Sequence, residues 1–127
     1  MSDANDAPRR VLLVEDDDSL VDAYRMVLEP RGLEVVGAGT ASEALDRLEA
    51  CAPEAVVADL LLPDAHGPEL LMALRKAAPD TPILVLTGRE PDRAREAGED
   101  VELDGYMTKP VSGSELADRL EELLEER

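Results

Sequence analysis

Polar side chains follow four of the apolar runs in this sequence, at the point where each run ends. The first run passes straight into four consecutive acids in VLLVEDDDS, and the others lead to an aspartate in VVADLLLPD, a threonine in ILVLTGRE and a lysine in YMTKPV. The side chains concerned are Glu15, Asp16, Asp59, Thr87 and Lys109. Clustered carboxylates repel one another unless a cation neutralises them, and hard oxygen ligands suit Mg²⁺. An aspartate beside such a cation could attack a phosphoryl group whose oxygens the hydroxyl and the ammonium stabilise.

The apolar runs that deliver these side chains have the character of strands covered on both faces, because they are short and often β-branched. The pattern predicts five strands, at residues 10–14, 33–38, 55–59, 83–87 and 103–107. Amphipathic stretches with helical spacing alternate with them, which predicts five helices. This alternation is typical of an α/β fold with a parallel sheet, right-handed crossovers and helices on both faces. Ligands of such open sheets bind beyond the carboxyl ends of the strands, where the polar side chains should meet.

Two segments depart from this regular pattern. The stretch REPDRAREAGED, Arg89 to Asp100, should form the helix between the last two strands, yet its only apolar residues are Ala94 and Ala97. We therefore expect that helix to be short and exposed. Residues 1–8 are expected to form a disordered tail, and residues 9–127 a single domain.

Composition narrows the classes of function. The formal net charge of −17 repels phosphate backbones and anionic lipids, so the sequence does not favour direct binding of nucleic acid or membranes. Cys51 is the single cysteine of the 127 residues, which excludes an internal disulfide and fits a reducing compartment. No apolar run has membrane-spanning length and the first residues lack the apolar region of a signal peptide, so a cytoplasmic protein is expected.

Each polar signal also has an ordinary structural explanation. Acids such as Asp17 and Asp18 are favourable at a helix N-terminus, and we expect these two to serve mainly as a cap. A strand-terminal aspartate or threonine is often a turn residue, and a lysine before proline is often a surface residue. Only the conjunction of these signals at one edge of one sheet indicates a site.

The same residues resemble the receiver domains of two-component response regulators, over a span from about Arg10 to about Leu124. VLLVEDD resembles the first strand of that family with its acidic pair, and DLLLPDAHG matches its phosphoacceptor segment, with Asp59 as the acceptor. VLTG matches the hydroxyl segment at Thr87, and YMTKP matches the lysine segment at Lys109.

The resemblance implies a set of roles for these positions. Mg²⁺ would be held by Glu15, Asp16, Asp59 and the backbone carbonyl of Leu61. Lys109 would form an ion pair with the phosphoryl group, while Thr87 and Tyr106 would act as the pair of switch residues. The family also implies the strand order 2-1-3-4-5, a donor that is a sensor histidine kinase or a phosphotransfer protein, and a downstream protein target or a separate output domain. The expected function is a signalling switch that assists its own phosphorylation and dephosphorylation.

The sequence departs from the family pattern near the surface by which receivers usually signal. Glu102, Leu103 and Asp104 stand where a Gly-Ala-Asp segment is common, and Val111 stands where phenylalanine commonly follows the Lys-Pro pair. A receiver-like interaction module that is not phosphorylated therefore remains an alternative. A Mg²⁺-dependent phosphatase with an aspartate nucleophile is disfavoured, because Leu61 occupies the position of the second aspartate usual in those enzymes. The sequence stops soon after its last predicted helix, so we expect either a stand-alone receiver or a piece of a longer regulator.

Overall fold

The computed structural model describes residues 9–59, 67–87, 105–108 and 110–125. Five strands lie in these ranges: β1 (Arg9–Val14), β2 (Leu33–Ala38), β3 (Ala55–Asp59), β4 (Ile83–Thr87) and β5 (Gly105–Thr108). The described residues also contain four α-helices, α1 (Asp18–Leu28), α2 (Ala41–Cys51), α3 (Gly67–Ala77) and α4 (Gly113–Glu125), and a 3₁₀ turn at Glu29–Arg31. None of the helices in these ranges is both long enough and apolar enough to cross a membrane.

The five strands form one parallel sheet in the order β2-β1-β3-β4-β5. This confirms the α/β class and the strand order that the sequence led us to expect. The helix expected between β4 and β5 and the expected tail at residues 1–8 lie outside the described residues, so these two expectations stay predictions. Among the described residues β5 covers Gly105–Thr108, so it ends one residue beyond the predicted end at 107, and the predicted first two residues, 103 and 104, lie outside the described part of the chain.

Side chains of strands β1 to β4 alternate between two apolar clusters, one on each face of the sheet. Val11 and Leu13 of β1 belong to the cluster that includes residues of α1 and α4. Leu12 and Val14 belong to the cluster that includes residues of α2 and α3. The helices therefore cover both faces, as the uninterrupted apolar character of the strands predicted.

Helices α1 and α4 are joined at several points along one face of the sheet. The Tyr24 hydroxyl donates a hydrogen bond of 3.0 Å to the backbone carbonyl of Val111, just before α4 begins. Arg31, in the 3₁₀ turn that follows α1, donates to Asp118 at 2.7 Å and to Glu121 at 2.9 Å. The hydrogen bond to Asp118, followed by the one to Glu121, raises the pKa of the Arg31 guanidinium above its ordinary value. The guanidinium thus stays charged at any pH at which the protein would be studied.

Candidate functional site

The first strand carries Glu15 to the carboxyl edge of the sheet and buries it there. The backbone N–H of Glu15 donates to the carbonyl of Ala38 at 2.9 Å, so the ladder between β1 and β2 continues one residue past Val14. The side chain of Glu15 is only 3% exposed, and one of its carboxylate oxygens accepts a hydrogen bond from the N–H of Asp17 at 3.3 Å. Glu15 is therefore held at the strand end by both its backbone and its side chain.

The other three acids of the run have different surroundings. Asp17 is the N-cap of α1, where its Oδ1 accepts from the N–H groups of Ser19 at 3.0 Å and Leu20 at 3.3 Å. Asp18 is in the first turn of the same helix, where a negative charge is favourable. This confirms the capping role expected for Asp17, while Asp18 contributes its charge to the first turn. Glu15 and the exposed Asp16 are thus the members of the run left for a site.

Asp59 is the last residue of β3, and its side chain is 5% exposed. The register pairs Val14 of β1 with Ala58 of β3, so Glu15 and Asp59 each follow one member of a pair. On the other side, Asp59 itself pairs with Leu86 of β4. The central position of β3 therefore places the Asp59 carboxylate at the middle of the edge, as its location at a strand end predicted.

Glu15, Asp16 and Asp59 form a group whose geometry is suited to a small divalent cation. One carboxylate oxygen of each residue lies within 4.8 Å of one carboxylate oxygen of the others. A Mg²⁺–oxygen distance of about 2.1 Å places opposite ligands of one ion about 4.2 Å apart, so small side-chain movements would bring the three oxygens onto a shared ion. The donors are all hard carboxylate oxygens, the ligand type that Mg²⁺ prefers. The residues present therefore fit a magnesium ion.

A groove of about 780 Å³ opens beside this group, along β2 between α1 and α2. Its lining includes Glu15, Gly39 and Glu43, so among the three acids it adjoins Glu15. Because Mg²⁺ usually retains several water ligands when it binds a protein, space beside the carboxylates is a requirement for such a site. On the β2 side the groove provides space next to Glu15.

Two further site residues predicted from the sequence lie in β4 and β5, on one side of β3. Thr87 is the last residue of β4 and follows Leu86, the residue that pairs with Asp59. Thr87 itself pairs with Thr108 of β5. Tyr106 of β5 pairs with Val85 of β4. The backbone of Thr87 is thus in β4, the strand beside β3, and lies at the same edge as Asp59. The backbone of Tyr106 is in β5, one strand further from Asp59. The side chains of both residues, and all of Leu61 and Lys109, lie outside the described part of the chain, so the roles predicted for them stay predictions.

Comparison with known proteins agrees with this geometry. The family model described as the response regulator receiver domain matches residues 11–121. Among curated proteins, the chain is 39% identical over 121 residues to the transcriptional regulatory protein TrcR of Mycobacterium tuberculosis, covering 95% of this chain and 47% of that protein. It is also 39% identical over 117 residues to the response regulator MprA of Mycolicibacterium vanbaalenii, covering 92% of this chain and 51% of the relative. The chain thus spans about half the length of these relatives.

Solved structures give the same result for the whole fold. A CheY-like response regulator receiver domain protein from Methanospirillum hungatei superposes with a TM-score of 0.88 at 32% identity, covering 94% of this chain and 96% of that one. The non-phosphorylated HemR receiver domain from Leptospira biflexa superposes with a TM-score of 0.81 at 34% identity, covering 91% and 94%. The arrangement of strands and helices is therefore shared with proteins of nearly the same length as the chain.

Proposed function

The chain belongs to the response regulator receiver domain family, and from this premise we propose that it is a phosphorylation-activated switch of a two-component phosphorelay. Asp59 would accept the phosphoryl group from a sensor histidine kinase or a phosphotransfer protein. The observation that supports this most directly is the convergence of Glu15, Asp16 and Asp59, with one carboxylate oxygen of each within 4.8 Å of the others.

We assign the metal to these three carboxylates and to the backbone carbonyl of Leu61. When bound, Mg²⁺ would neutralise the carboxylates and draw charge from the phosphoryl oxygens. Asp16 is the exposed member of the group, and Glu15 and Asp59 are the buried ones. This division leaves one side of the group open to a hydrated cation and to a phosphodonor.

In the transfer step a carboxylate oxygen of Asp59 forms a bond to phosphorus. The bond between phosphorus and the donor's imidazole nitrogen breaks, and its electron pair stays with the imidazole. The Lys109 ammonium is proposed to pair with the phosphoryl oxygens, and the Thr87 hydroxyl to donate a hydrogen bond to one of them. Because the side chain of Asp59 is 5% exposed, the acyl phosphate would form in a pocket with little room for competing water.

The response to phosphorylation is proposed to pass through Thr87 and Tyr106. The support for this pairing is their placement on two adjacent strands, where Val85 pairs with Tyr106 and Thr87 pairs with Thr108. A shift of the Thr87 hydroxyl towards the phosphoryl group would favour one of two positions of the Tyr106 side chain. Phosphorylation would then shift a two-state equilibrium that a partner reads at the β4–β5 side of the sheet.

The domain is proposed to signal, assisting its own phosphorylation and dephosphorylation, without turning over a separate substrate. We assign the receiver to residues 9–127 and expect its output to be a downstream protein or another domain of a longer regulator. The net charge of −17 supports the proposal that this domain itself binds neither nucleic acid nor a membrane. A regulator that contained it could still contact DNA through a different domain.

Intact mass after incubation with acetyl phosphate tests the proposed function. We expect one phosphoryl adduct that requires Mg²⁺ and is absent from Asp59→Asn. Asp80→Asn is the matched control, because Asp80 is an exposed aspartate in the loop before β4, at the opposite edge of the sheet. Absence of any adduct from acetyl phosphate and of any Mg²⁺ affinity would contradict the proposal and favour an interaction module.

A further inference from the structure

Tyr24 makes a long-range contact that the proposed mechanism does not use. It lies midway along α1 and is 3% exposed, and its hydroxyl donates to the carbonyl of Val111 at 3.0 Å. Val111 is 8% exposed and 87 positions away in the sequence. Val111 also follows Lys109 by two residues, in the connection from β5 to α4. The hydroxyl is thus bound to the segment on which the proposed phosphate-binding lysine is carried.

The surroundings of Tyr24 make this hydrogen bond specific. The residue belongs to the apolar cluster between the sheet and helices α1 and α4, whose other members are aliphatic. A buried tyrosine hydroxyl in apolar surroundings requires a hydrogen-bond partner, and a buried carbonyl does as well. The bond between Tyr24 and Val111 therefore fixes the end of the β5–α4 connection, just before α4, against the middle of α1.

The same helix is attached to the acidic group at its other end. Its N-cap is Asp17, whose N–H donates to the carboxylate of Glu15 at 3.3 Å. Tyr24 follows about two turns later. Helix α1 thus links the carboxylate of Glu15 to the segment between β5 and α4.

We propose that Tyr24 is a positioning residue for Lys109, an inference that rests on the proposed function. By holding the Val111 carbonyl, the hydroxyl restrains the short stretch of backbone that leads back to Lys109. A restrained backbone lowers the entropy that the lysine must lose when its ammonium pairs with the phosphoryl oxygens. Loss of the hydroxyl should therefore slow phosphoryl transfer, and this effect should act only through the position of Lys109.

Arg31 provides a matched control, because it joins the end of α1 to α4 through residues that follow Val111 by three positions or more. Its guanidinium binds Asp118, Glu121 and the carbonyl of Ser114. Arg31→Ala therefore weakens the attachment of α1 to α4 and leaves the hydrogen bond to Val111 in place. A role of Tyr24 that was only structural would make Tyr24→Phe and Arg31→Ala behave alike.

The first experiment measures the rate constant of phosphorylation by acetyl phosphate in a double-mutant cycle. Tyr24→Phe should lower the rate constant about fivefold, which corresponds to the loss of about 1 kcal/mol for one net hydrogen bond. Arg31→Ala should stay near wild type, and Tyr24→Phe should cause no further loss in a Lys109→Ala background. An equal loss in both backgrounds, or an equal loss from Arg31→Ala, would overturn the inference.

The second experiment follows hydrogen exchange of the peptide spanning Lys109 to Ser112 without any phosphodonor. Exchange should become faster in Tyr24→Phe and stay unchanged in Arg31→Ala, because only the first variant releases the Val111 carbonyl. Unchanged exchange in Tyr24→Phe, together with normal phosphorylation, would overturn the positioning role alone. A wild-type protein that accepted no phosphoryl group would overturn the proposed function, and the role of Tyr24 in transfer with it.

Discussion

Glu15 and Asp59 follow two residues that pair across adjacent parallel strands, Val14 of β1 and Ala58 of β3. Their side chains are 3% and 5% exposed, and they are the buried charged side chains among the described residues. Neighbouring strands lie about 4.8 Å apart, so the register alone brings two carboxylates together in a poorly solvated place. Burial of two such charges is unfavourable without a compensating cation. The burial of Glu15 and Asp59 therefore supports the proposal that they belong to a cation site.

Removal of the Asp59 charge should stabilise the metal-free protein. Two negative charges about 5 Å apart repel by about 3 kcal/mol at an effective dielectric constant of about 20, and the weaker hydrogen bonds that a neutral asparagine accepts offset part of this gain. We expect the free energy of unfolding in EDTA to rise by about 1 kcal/mol, measured by urea denaturation. The exposed control Asp80→Asn should change it by less than about 0.5 kcal/mol. Destabilisation by Asp59→Asn in EDTA would contradict the repulsion argument.

Asp16→Asn should separate metal binding from folding. Asp16 is exposed, so the substitution should change stability in EDTA by less than about 0.5 kcal/mol. Wild type should gain about 2.7 kcal/mol when Mg²⁺ is present at about 100 times its dissociation constant. Asp16→Asn should lose most of this gain at the same Mg²⁺ concentration, because one of three charged ligands is gone. An unchanged response to Mg²⁺ would remove Asp16 from the site.

Asp17 should affect the helix and leave the metal site intact. Asp17→Ala removes the acceptor for the N–H groups of Ser19 and Leu20 and should cost about 1 kcal/mol of unfolding free energy. Asp17→Asn should cost much less, since asparagine caps a helix nearly as well. Both variants should bind Mg²⁺ like wild type in a calorimetric titration. A large loss of Mg²⁺ affinity in Asp17→Asn would show that this carboxylate is a ligand.

The start of α4 approaches α1 so closely that only glycine fits at position 113. A Cβ on Gly113 would lie 2.7 Å from the Cβ and Cγ2 atoms of Val27. Gly113→Ala should therefore destabilise the protein by about 1–3 kcal/mol, the usual range for overpacking. Val27→Ala should restore part of that loss in the double variant, as measured by thermal or urea unfolding. Additive losses would mean that the two residues do not compete for space.

Much of the fold follows from local physical chemistry. Runs of buried β-branched residues predict the strands. The helix starts are marked by Asp17, Thr40 and Ser112, because each of these side chains accepts hydrogen bonds from backbone N–H groups two or three residues later. Strand ends are less well predicted, since hydrogen bonding rather than hydrophobicity sets them. Strand β1 begins at Arg9, whose N–H donates to the carbonyl of Gly32 at 2.9 Å although its side chain is exposed. Periodicity also cannot specify which strands are neighbours, so the strand order could be expected only through the family resemblance.

Part of the site could also be predicted from the sequence. The rule that ligands bind at the carboxyl ends of parallel strands places Glu15, Asp16 and Asp59 at one edge of the sheet from the sequence, and the family resemblance adds that β1 and β3 are neighbours. The hydrogen bond from Tyr24 to Val111 could not be predicted, because a tyrosine in a helical apolar stripe indicates burial and not a partner 87 positions away. The one available signal was the presence of a hydroxyl-bearing ring in a core that is otherwise aliphatic.

Chemical mapping of the phosphorylated residue tests the central claim most directly. Sodium borohydride reduces an aspartyl phosphate to homoserine, and peptide mass spectrometry then locates the altered position. After incubation with acetyl phosphate and Mg²⁺, we predict homoserine at position 59, and none when EDTA replaces Mg²⁺. Homoserine at another aspartate, or a phosphoryl adduct that leaves Asp59 unreduced, would contradict the assignment of Asp59 as the acceptor.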